Sequence, residues 1–523
     1  MGSYLNPGTA AFQISLRSEI YIDKTLLLLH TNRLIGSEQR FMCVSRPRRF
    51  GKSMAANMLA AYYSFGTSAA PYFDGYKIAA QEGYRTHLNA YDVIKVNMTD
   101  FIRRSTPVSA TIERLTRYLA MEMKRQYPDA LYLEETDLPQ TMQDVFTHTG
   151  RPFIVLIDEW DCLFREFKDD KAAQEEYLDF LRRWLKDKTY IGLAYMTGIL
   201  PIKKYGTHSA LNMFTEYSMT NPRELGEFYG FTADEVKGLC SEYNMAYEEA
   251  EAWYDGYTMI SKNGELSIYN PKSVVEAMMA RVYDTYWNQT ETYEALKVYI
   301  QMNMDGLKDA IVSMLGGQAV SINTGTFTND MTTFSSRDDV LTLLVHLGYL
   351  SYHWEGKTVT IPNREVAQEY VNAISTMSWN EVSRAVAASQ RLLEAMWNGD
   401  AESVAAGIDA AHEEISILKY NDENSLACTI SLAFYTAREY YNIYRELPAG
   451  RGFADLVFIP RHIHADKPAA IVELKKDKSA DGAIAQIKDK RYTGALKGFN
   501  GRVLLVGINY DGDKDHECVI EEL

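Results

Sequence analysis

Apolar positions along this chain follow two rhythms, and their alternation sets the architecture. Residues 41–44 (FMCV) are a short apolar run of the kind a buried strand carries, and from 53 to 63 the apolar residues recur at helical spacing. Residues 93–98 (VIKVNM) read as a second strand, followed by a long helical stretch to about 146. Residues 153–159 (FIVLIDE) are a continuous apolar run ending on two acids, and 191–198 (IGLAYMTG) is a further apolar strand. Strands alternating with helices predict a parallel sheet covered on both faces, with its active site outside the strands' carboxyl ends. Residues 222–290 read as mostly helical, their aromatic cluster expected as core. Residues 335–366 read as a helix followed by two short strands, 350–354 and 358–361, which is a winged-helix pattern. Its expected recognition helix is apolar (Leu341, Leu343, Leu344, Val345), which favours packing over DNA reading. Residues 367–418 suit a helical connector, alanine-rich and acidic. The last hundred residues read as helix 425–437, strands 450–459 and 469–476, helix 483–492 and strand 503–508.

Between the first strand and its helix lies Gly51-Lys52-Ser53, the end of a phosphate-binding loop. Gly51 lets backbone N–H groups approach phosphate oxygens, Lys52 reaches the β/γ-phosphates, and Ser53 places a hydroxyl on Mg²⁺. The following helix offers unpaired N–H groups and its positive dipole end to the same anion. The first glycine of G-x-x-x-x-G-K-[ST] is replaced by Arg46. With Arg46-Pro47-Arg48-Arg49-Phe50 ahead of Gly51, three guanidiniums are expected to crowd the cradle as extra clamps on a triphosphate. A chance GKS on a basic surface turn is the plainer alternative. Asp158-Glu159 at the end of a dry strand gives a Walker B arrangement. Asp158 would orient Mg²⁺ and Glu159 would polarise the attacking water, although a strand-end acid pair bonded to a neighbouring helix has the same pattern. Thr197 is the candidate polar sensor, and Ser209, Leu211 and Asn212 just beyond it are expected to respond to nucleotide. Asp23 in Tyr21-Ile22-Asp23-Lys24-Thr25 is expected as a helix cap. Arg165, Arg182, Arg183 and Arg223 are equal candidates for an arginine finger.

Composition narrows the class. At 523 residues the chain needs more than one core. Its net charge of −16 argues against a protein that coats nucleic acid non-specifically, while leaving room for a local basic groove. Five scattered cysteines without CxxC fit reduced thiols in a cytoplasm, the expected location. No apolar run spans a bilayer, so no membrane partner is expected.

The C-terminal stretch carries a second chemistry. Asp455 on one strand, with Glu473 and Lys475 on the next, would place two carboxylates and an amine on one side of a sheet, because side chains two apart share a face. Two carboxylates can share a hard divalent cation, which lowers the pKa of a bound water and shields a phosphodiester. Lys475 would hold or deprotonate that water, and Gln486 and Tyr492 follow on the next helix. An amphipathic E-x-K with an unrelated Asp is the plain alternative. Lys475, Lys476, Lys488, Lys490 and Arg491 give a local basic surface for a DNA backbone, or only a solvated helix face.

SRPRRFGKS, the preceding YIDKT, VLIDEWD, TGILPIKKYGTHSALN, WYDGY and YNPKS together resemble the bacterial AAA-ATPase-like family, in which an ATPase module is commonly joined to a PD-(D/E)XK nuclease-like domain. The resemblance makes Arg46 a family habit, assigns Asp455 and Glu473-Leu474-Lys475 to the nuclease motif, and matches Glu423 to the helix acid that completes such sites. The fold class it implies is α/β. An AAA-like P-loop parallel sheet (1–221) carries a helical lid (222–290) and a winged-helix-like segment (291–370). A connector (371–418) then leads to a restriction-endonuclease-like α/β domain (419–523). The expected function is ATP binding and hydrolysis with Mg²⁺, nucleotide state controlling DNA processing. The alternatives are an interaction switch whose nuclease-like domain does not cleave, and a signalling ATPase whose winged helix binds DNA. A homo-oligomer is compatible with the pattern without being required by it.

Overall fold

Runs that are apolar on both faces become the central strands. A computed structural model describes residues 2–523 except 104, 135, 203–210, 262–263, 288–292, 303, 329–330, 333, 378, 415–422, 450–451, 493–495, 497–498, 500 and 512–515. The chain divides into two compact units, Met1–Trp287 with Ser321–Glu365, and Asn288–Val320 with Val366–Leu523.

In the first unit, β1 (Phe41–Ser45), β2 (Asp92–Asn97), β3 (Phe153–Asp158), β4 (Ile191–Gly198) and β5 (Thr215–Tyr217) form an all-parallel sheet ordered β2-β3-β4-β1-β5. Every residue of β1, β3 and β4 is buried. Their side chains alternate between two cores. Met42, Val44, Ile154, Leu156 and Leu193 meet Met58, Leu59 and Tyr62 of α1 (Lys52–Tyr63) on one face. Phe41, Cys43, Val155, Ile157 and Met196 meet Leu115, Val145, Leu181 and Trp184 of three helices on the other. Each such side chain contributes roughly 1.5–3 kcal/mol over leaving it exposed. The register sets Val44 beside Thr197 and Asn97 beside Asp158, so the carboxyl ends of the strands finish together. The short edge strand β5, with Glu216 at its centre, was not expected from the pattern.

Helices Ala233–Tyr243, Tyr247–Tyr254 and Pro271–Ala280 form a lid-like layer around Val236, Tyr254, Tyr269 and Val274. To the mostly helical reading of 222–290 the structure adds a three-stranded antiparallel sheet of Phe231–Thr232, Tyr257–Ser261 and Gly264–Tyr269. Tyr254, Tyr257 and Tyr269 are fully buried, so the aromatic cluster is core.

Helix Arg337–Leu347 and the antiparallel hairpin of Ser351–His353 with Thr358–Thr360 keep the winged-helix order. Asp339 through His346 are buried without a break, which leaves this helix no face for a DNA groove. Segment 291–370 is not one body, because the division between the units falls within it.

The second unit holds β6 (Tyr441–Ala449), β7 (Gly452–Pro460), β8 (Ala469–Lys476), β9 (Val503–Tyr510) and β10 (Glu517–Glu522) in that order. Only β8 and β9 run parallel, and α2 (Ala480–Lys490) supplies the crossover that such a pair needs. Ala483, Ile484 and Ile487 of α2 pack on Val457, Ile471 and Leu505. Sequence reasoning found the three inner strands and missed both edges, β6 and β10. Gly450, Arg451, Asp422 and Ser209 lie outside the described residues, and of Glu423 only the backbone, at the start of helix Glu423–Ala433, is described. No helix among the described residues is long and apolar enough to cross a membrane.

Candidate nucleotide and metal sites

The turn from β1 to α1 is held by two left-handed residues, Arg49 (φ 69°) and Gly51 (φ 86°), the latter capping α1. This geometry delivers Lys52 and Ser53 to the first turn of the helix. Lys52 is buried and donates to the carbonyl oxygens of Arg46 (2.9 Å) and Pro47 (2.8 Å). Burial pulls its ammonium below the usual lysine range, and the charges of Glu159, Asp161 and Asp158 oppose that pull. A cavity of about 540 Å³ opens here. Arg48, Arg49, Gly51, Lys52, Ser53 and Glu159 are among its polar lining, and Phe12, Ile20, Ile22, Phe231 and Pro271 among its apolar lining.

Three residues of the loop do something other than clamp phosphate. The Arg46 side chain is fully buried and donates to the carbonyls of Ser45 (2.8 Å) and Tyr217 (2.7 Å), with its guanidinium 5.4 Å from the Tyr229 ring centre. Burial lowers its pKa to about 10. The expectation of three guanidiniums in the cradle is therefore corrected to two, Arg48 and Arg49, which are exposed. Phe50 is buried edge-on against Tyr257 at 5.2 Å, although it also borders the cavity. Pro47 is buried beside Gly348, where an added Cβ would come within 2.8 Å of the proline ring.

At the end of β3, Asp158 accepts from the Thr197 hydroxyl on β4 and from the Glu159 amide (3.1 Å). Glu159 adopts φ 53°, a conformation that a non-glycine residue holds only at some cost. Its carboxylate accepts from Arg165, whose guanidinium also lies 3.8 Å from Asp161. Burial works against the Arg165 charge, but Asp161 and Glu159 outweigh it and raise its pKa. Asp161 is buried and accepts the amides of Ile199 (3.0 Å) and Leu200 (2.9 Å), which fixes the chain leaving β4. Sequence reasoning quoted Asp161 within VLIDEWD without giving it a role, and ranked Arg165 no higher than Arg182, Arg183 or Arg223. Asp23 caps the turn at Thr25 (2.8 Å) and accepts the Lys77 amide (2.9 Å), away from any phosphate chemistry.

In the second unit, strand periodicity puts Glu473 and Lys475 on one face of β8, and Lys475 Nζ donates to Glu473 Oε1 at 2.7 Å. The β7–β8 register pairs Leu456 with Val472, so the next position sets Asp455 opposite Glu473. Asp455 Oδ2 accepts the Leu474 amide at 2.7 Å and the side chain is half-buried, whereas Glu473 and Lys475 are buried. Gln486 on α2 donates to the same Glu473 oxygen and lies 3.3 Å from the Tyr492 hydroxyl. Two glycines make room for this. A Cβ on Gly507, the β9 neighbour of Glu473, would fall 2.3 Å from the Ala480 carbonyl oxygen, and one on Gly452 would fall 2.9 Å from the Tyr492 hydroxyl. Sequence reasoning quoted Gly452 within Gly-Arg-Gly-Phe-Ala-Asp without this role and missed Gly507, whose signal was a glycine inside an otherwise apolar strand.

The donor set fits a hard divalent cation held by two carboxylates and completed by waters. Among the described residues no group of three or more His, Cys, Asp or Glu is arranged for a metal, and the Glu423 side chain lies outside them. The expected basic surface is partly neutralised, since Lys475 pairs with Glu473 (2.7 Å) and Lys488 with Glu521.

Residues 8–207 match the family model described as a predicted AAA-ATPase, and residues 421–520 match that of the PD-(D/E)XK nuclease superfamily. The chain joins an AAA-ATPase-like domain to a nuclease-superfamily domain, the fusion its motifs resemble, and this pairing supports a nucleotide-binding protein with a nuclease-like domain. An uncharacterized protein in the vnfD 5' region of Azotobacter chroococcum mcd 1 is 24% identical over 283 residues, which cover 52% of this chain and 51% of that protein. The chain thus spans about half the length of that curated relative. Two solved Aeropyrum pernix proteins are similar at low scores. ORC2, in ADPNP-ADP complexes, has a TM-score of 0.30 and 11% identity over 70% of this chain and 98% of its own. ORC1, in complex with DNA, has a TM-score of 0.23 and 13% identity over 72% and 97%. At these scores the likeness carries no argument.

Proposed function

We propose that the N-terminal cavity binds ATP with Mg²⁺ and hydrolyses it, and that the C-terminal site cleaves DNA with a divalent cation under control of the nucleotide state. The observation that carries the reading is the convergence of Lys52, the amino end of α1 and Glu159 on one cavity. Lys52 now satisfies two loop carbonyls, and an arriving triphosphate offers its ammonium stronger acceptors. Ser53 and Asp158 would hold Mg²⁺, and Thr197 orients Asp158. Glu159 would take the proton of the attacking water, its carboxylate held in place by the Arg165 guanidinium. At the other site Asp455 and Glu473 would hold the cation, whose chemistry is to acidify a water and offset phosphodiester charge. Lys475 and Gln486 position Glu473, and the Lys475 ammonium would offer a further donor to the reacting phosphate.

Lys52→Ala should abolish nucleotide binding, and Glu159→Gln should retain binding while turnover falls by about 10²-fold or more. Asp455→Ala and Lys475→Ala should each abolish Mg²⁺-dependent cleavage of duplex DNA. Unchanged turnover in Lys52→Ala, or full cleavage in both nuclease variants, would sink the corresponding half. The pairing of Lys475 with Glu473 and of Lys488 with Glu521, which offsets two of the expected basic charges, favours a second reading, a nucleotide-dependent interaction switch whose nuclease-like module does not cleave. That protein would bind ATP normally and leave DNA intact with Mg²⁺ and with Mn²⁺.

A further inference from the structure

Three residues of the YIDKT stretch, Tyr21, Ile22 and Lys24, border the same cavity as Lys52 and Ser53. Lys24 Nζ donates to both carboxylate oxygens of Glu235 (2.8 and 2.7 Å) and to the Glu227 carbonyl (2.7 Å), which uses all three of its donors. Glu235 also accepts the Thr232 amide (2.8 Å), closing the capping box that begins lid helix Ala233–Tyr243. Ile22, two residues before Lys24, and Phe231, next to Thr232, are apolar walls of the same cavity. This ion pair therefore joins a wall on the core to a wall on the lid, alongside the Gly230 amide's bond to the Phe50 carbonyl (3.2 Å) and the packing of Ile20 on Phe231. The pair's side chains are only 17% and 20% exposed, so salt screens it weakly.

We propose that the Lys24–Glu235 pair is a latch that holds the lid against the core and retains bound nucleotide, making Lys24 a positioning residue for the cavity. This rests on the cavity being a nucleotide site. Separation of the two walls would loosen the grip on a bound nucleotide, so loss of the latch acts on dissociation more than on association.

The test measures dissociation and association of a fluorescent N-methylanthraniloyl ATP with Mg²⁺ from the full chain by stopped flow. Lys24→Met and Glu235→Gln, the latter keeping the capping acceptor without the charge, should each raise the dissociation rate about tenfold and leave association within about twofold. Lys24→Arg, which preserves the bidentate pair, should stay near wild type. Wild-type dissociation in either folded variant overturns the latch. Failure of the wild-type chain to bind the probe overturns the nucleotide reading itself, which separates the two failures.

Discussion

Gly507→Ala tests how the nuclease-like site is assembled. The new Cβ would sit 2.3 Å from the Ala480 carbonyl oxygen and 3.1 Å from both Ala483 Cβ and Ile484 Cγ1. Carbon and oxygen settle at about 3.3 Å or more, so α2 must withdraw by roughly 1 Å, since its backbone cannot rotate aside as a side chain would. Gln486 rides on the same helix, and a shift of about 1 Å lengthens and weakens its bond to Glu473. Overpacking of this kind costs about 1–3 kcal/mol, which at about 2–4 °C per kcal/mol lowers the Tm of a unit this size by about 2–12 °C. A displacement of about 1 Å at a reacting group costs on the order of 10²-fold in rate. Thermal denaturation and single-turnover cleavage of end-labelled duplex with Mg²⁺ read the two effects. A variant with wild-type Tm and wild-type cleavage would show that α2 is not seated by the missing side chain, and the positioning argument would fail.

Three further outcomes are expected. Glu369 is buried, and burial raises its pKa to about 6 from 4.5. The folded protein therefore resists its ionisation: stability is greatest below about pH 4.5 and falls as pH rises to about 6. Glu369→Gln should stabilise by at most about 2 kcal/mol at pH 7 and by nothing at pH 4, and equal effects in melts at the two pH values would refute this. Gly238 lies inside helix Ala233–Tyr243 with nothing within 4 Å of an added Cβ, so Gly238→Ala should gain about 0.5–1 kcal/mol by denaturant titration. Arg46→Met should lower stability by about 3 kcal/mol, because two buried carbonyls lose their donor. The Kd of the folded fraction for nucleotide, by calorimetry, should stay within about threefold of wild type, whereas a large loss would restore Arg46 as a phosphate clamp.

What the sequence made legible follows physical lines. β1, β3 and β4 were readable because both faces are buried, which leaves nearly uninterrupted apolar runs. Glu473 and Lys475 were readable because a strand's period of two puts them together whatever surrounds them. Edges were not: β6 carries Arg445, Glu446 and Pro448, and β10 is half charged, as strands with one unpaired side tend to be. Arg46 was misread because a guanidinium in an anion-binding loop invites one role. Its actual partners, the Tyr217 carbonyl and the Tyr229 ring, are remote in sequence and meet it only through folding. The Lys24–Glu235 pair, separated by 211 positions, was hidden for the same reason.

The central claim is that two separate polar pockets, one for a triphosphate and one for a metal-bound phosphodiester, occupy one polypeptide. A crystal structure with a non-hydrolysable ATP analogue and Mn²⁺ tests both at once through anomalous scattering. The account predicts one manganese peak beside Ser53 and Asp158 with the analogue's phosphates at Lys52, and another between Asp455 and Glu473. Strong peaks elsewhere with both positions blank, under saturating ligand, would contradict it.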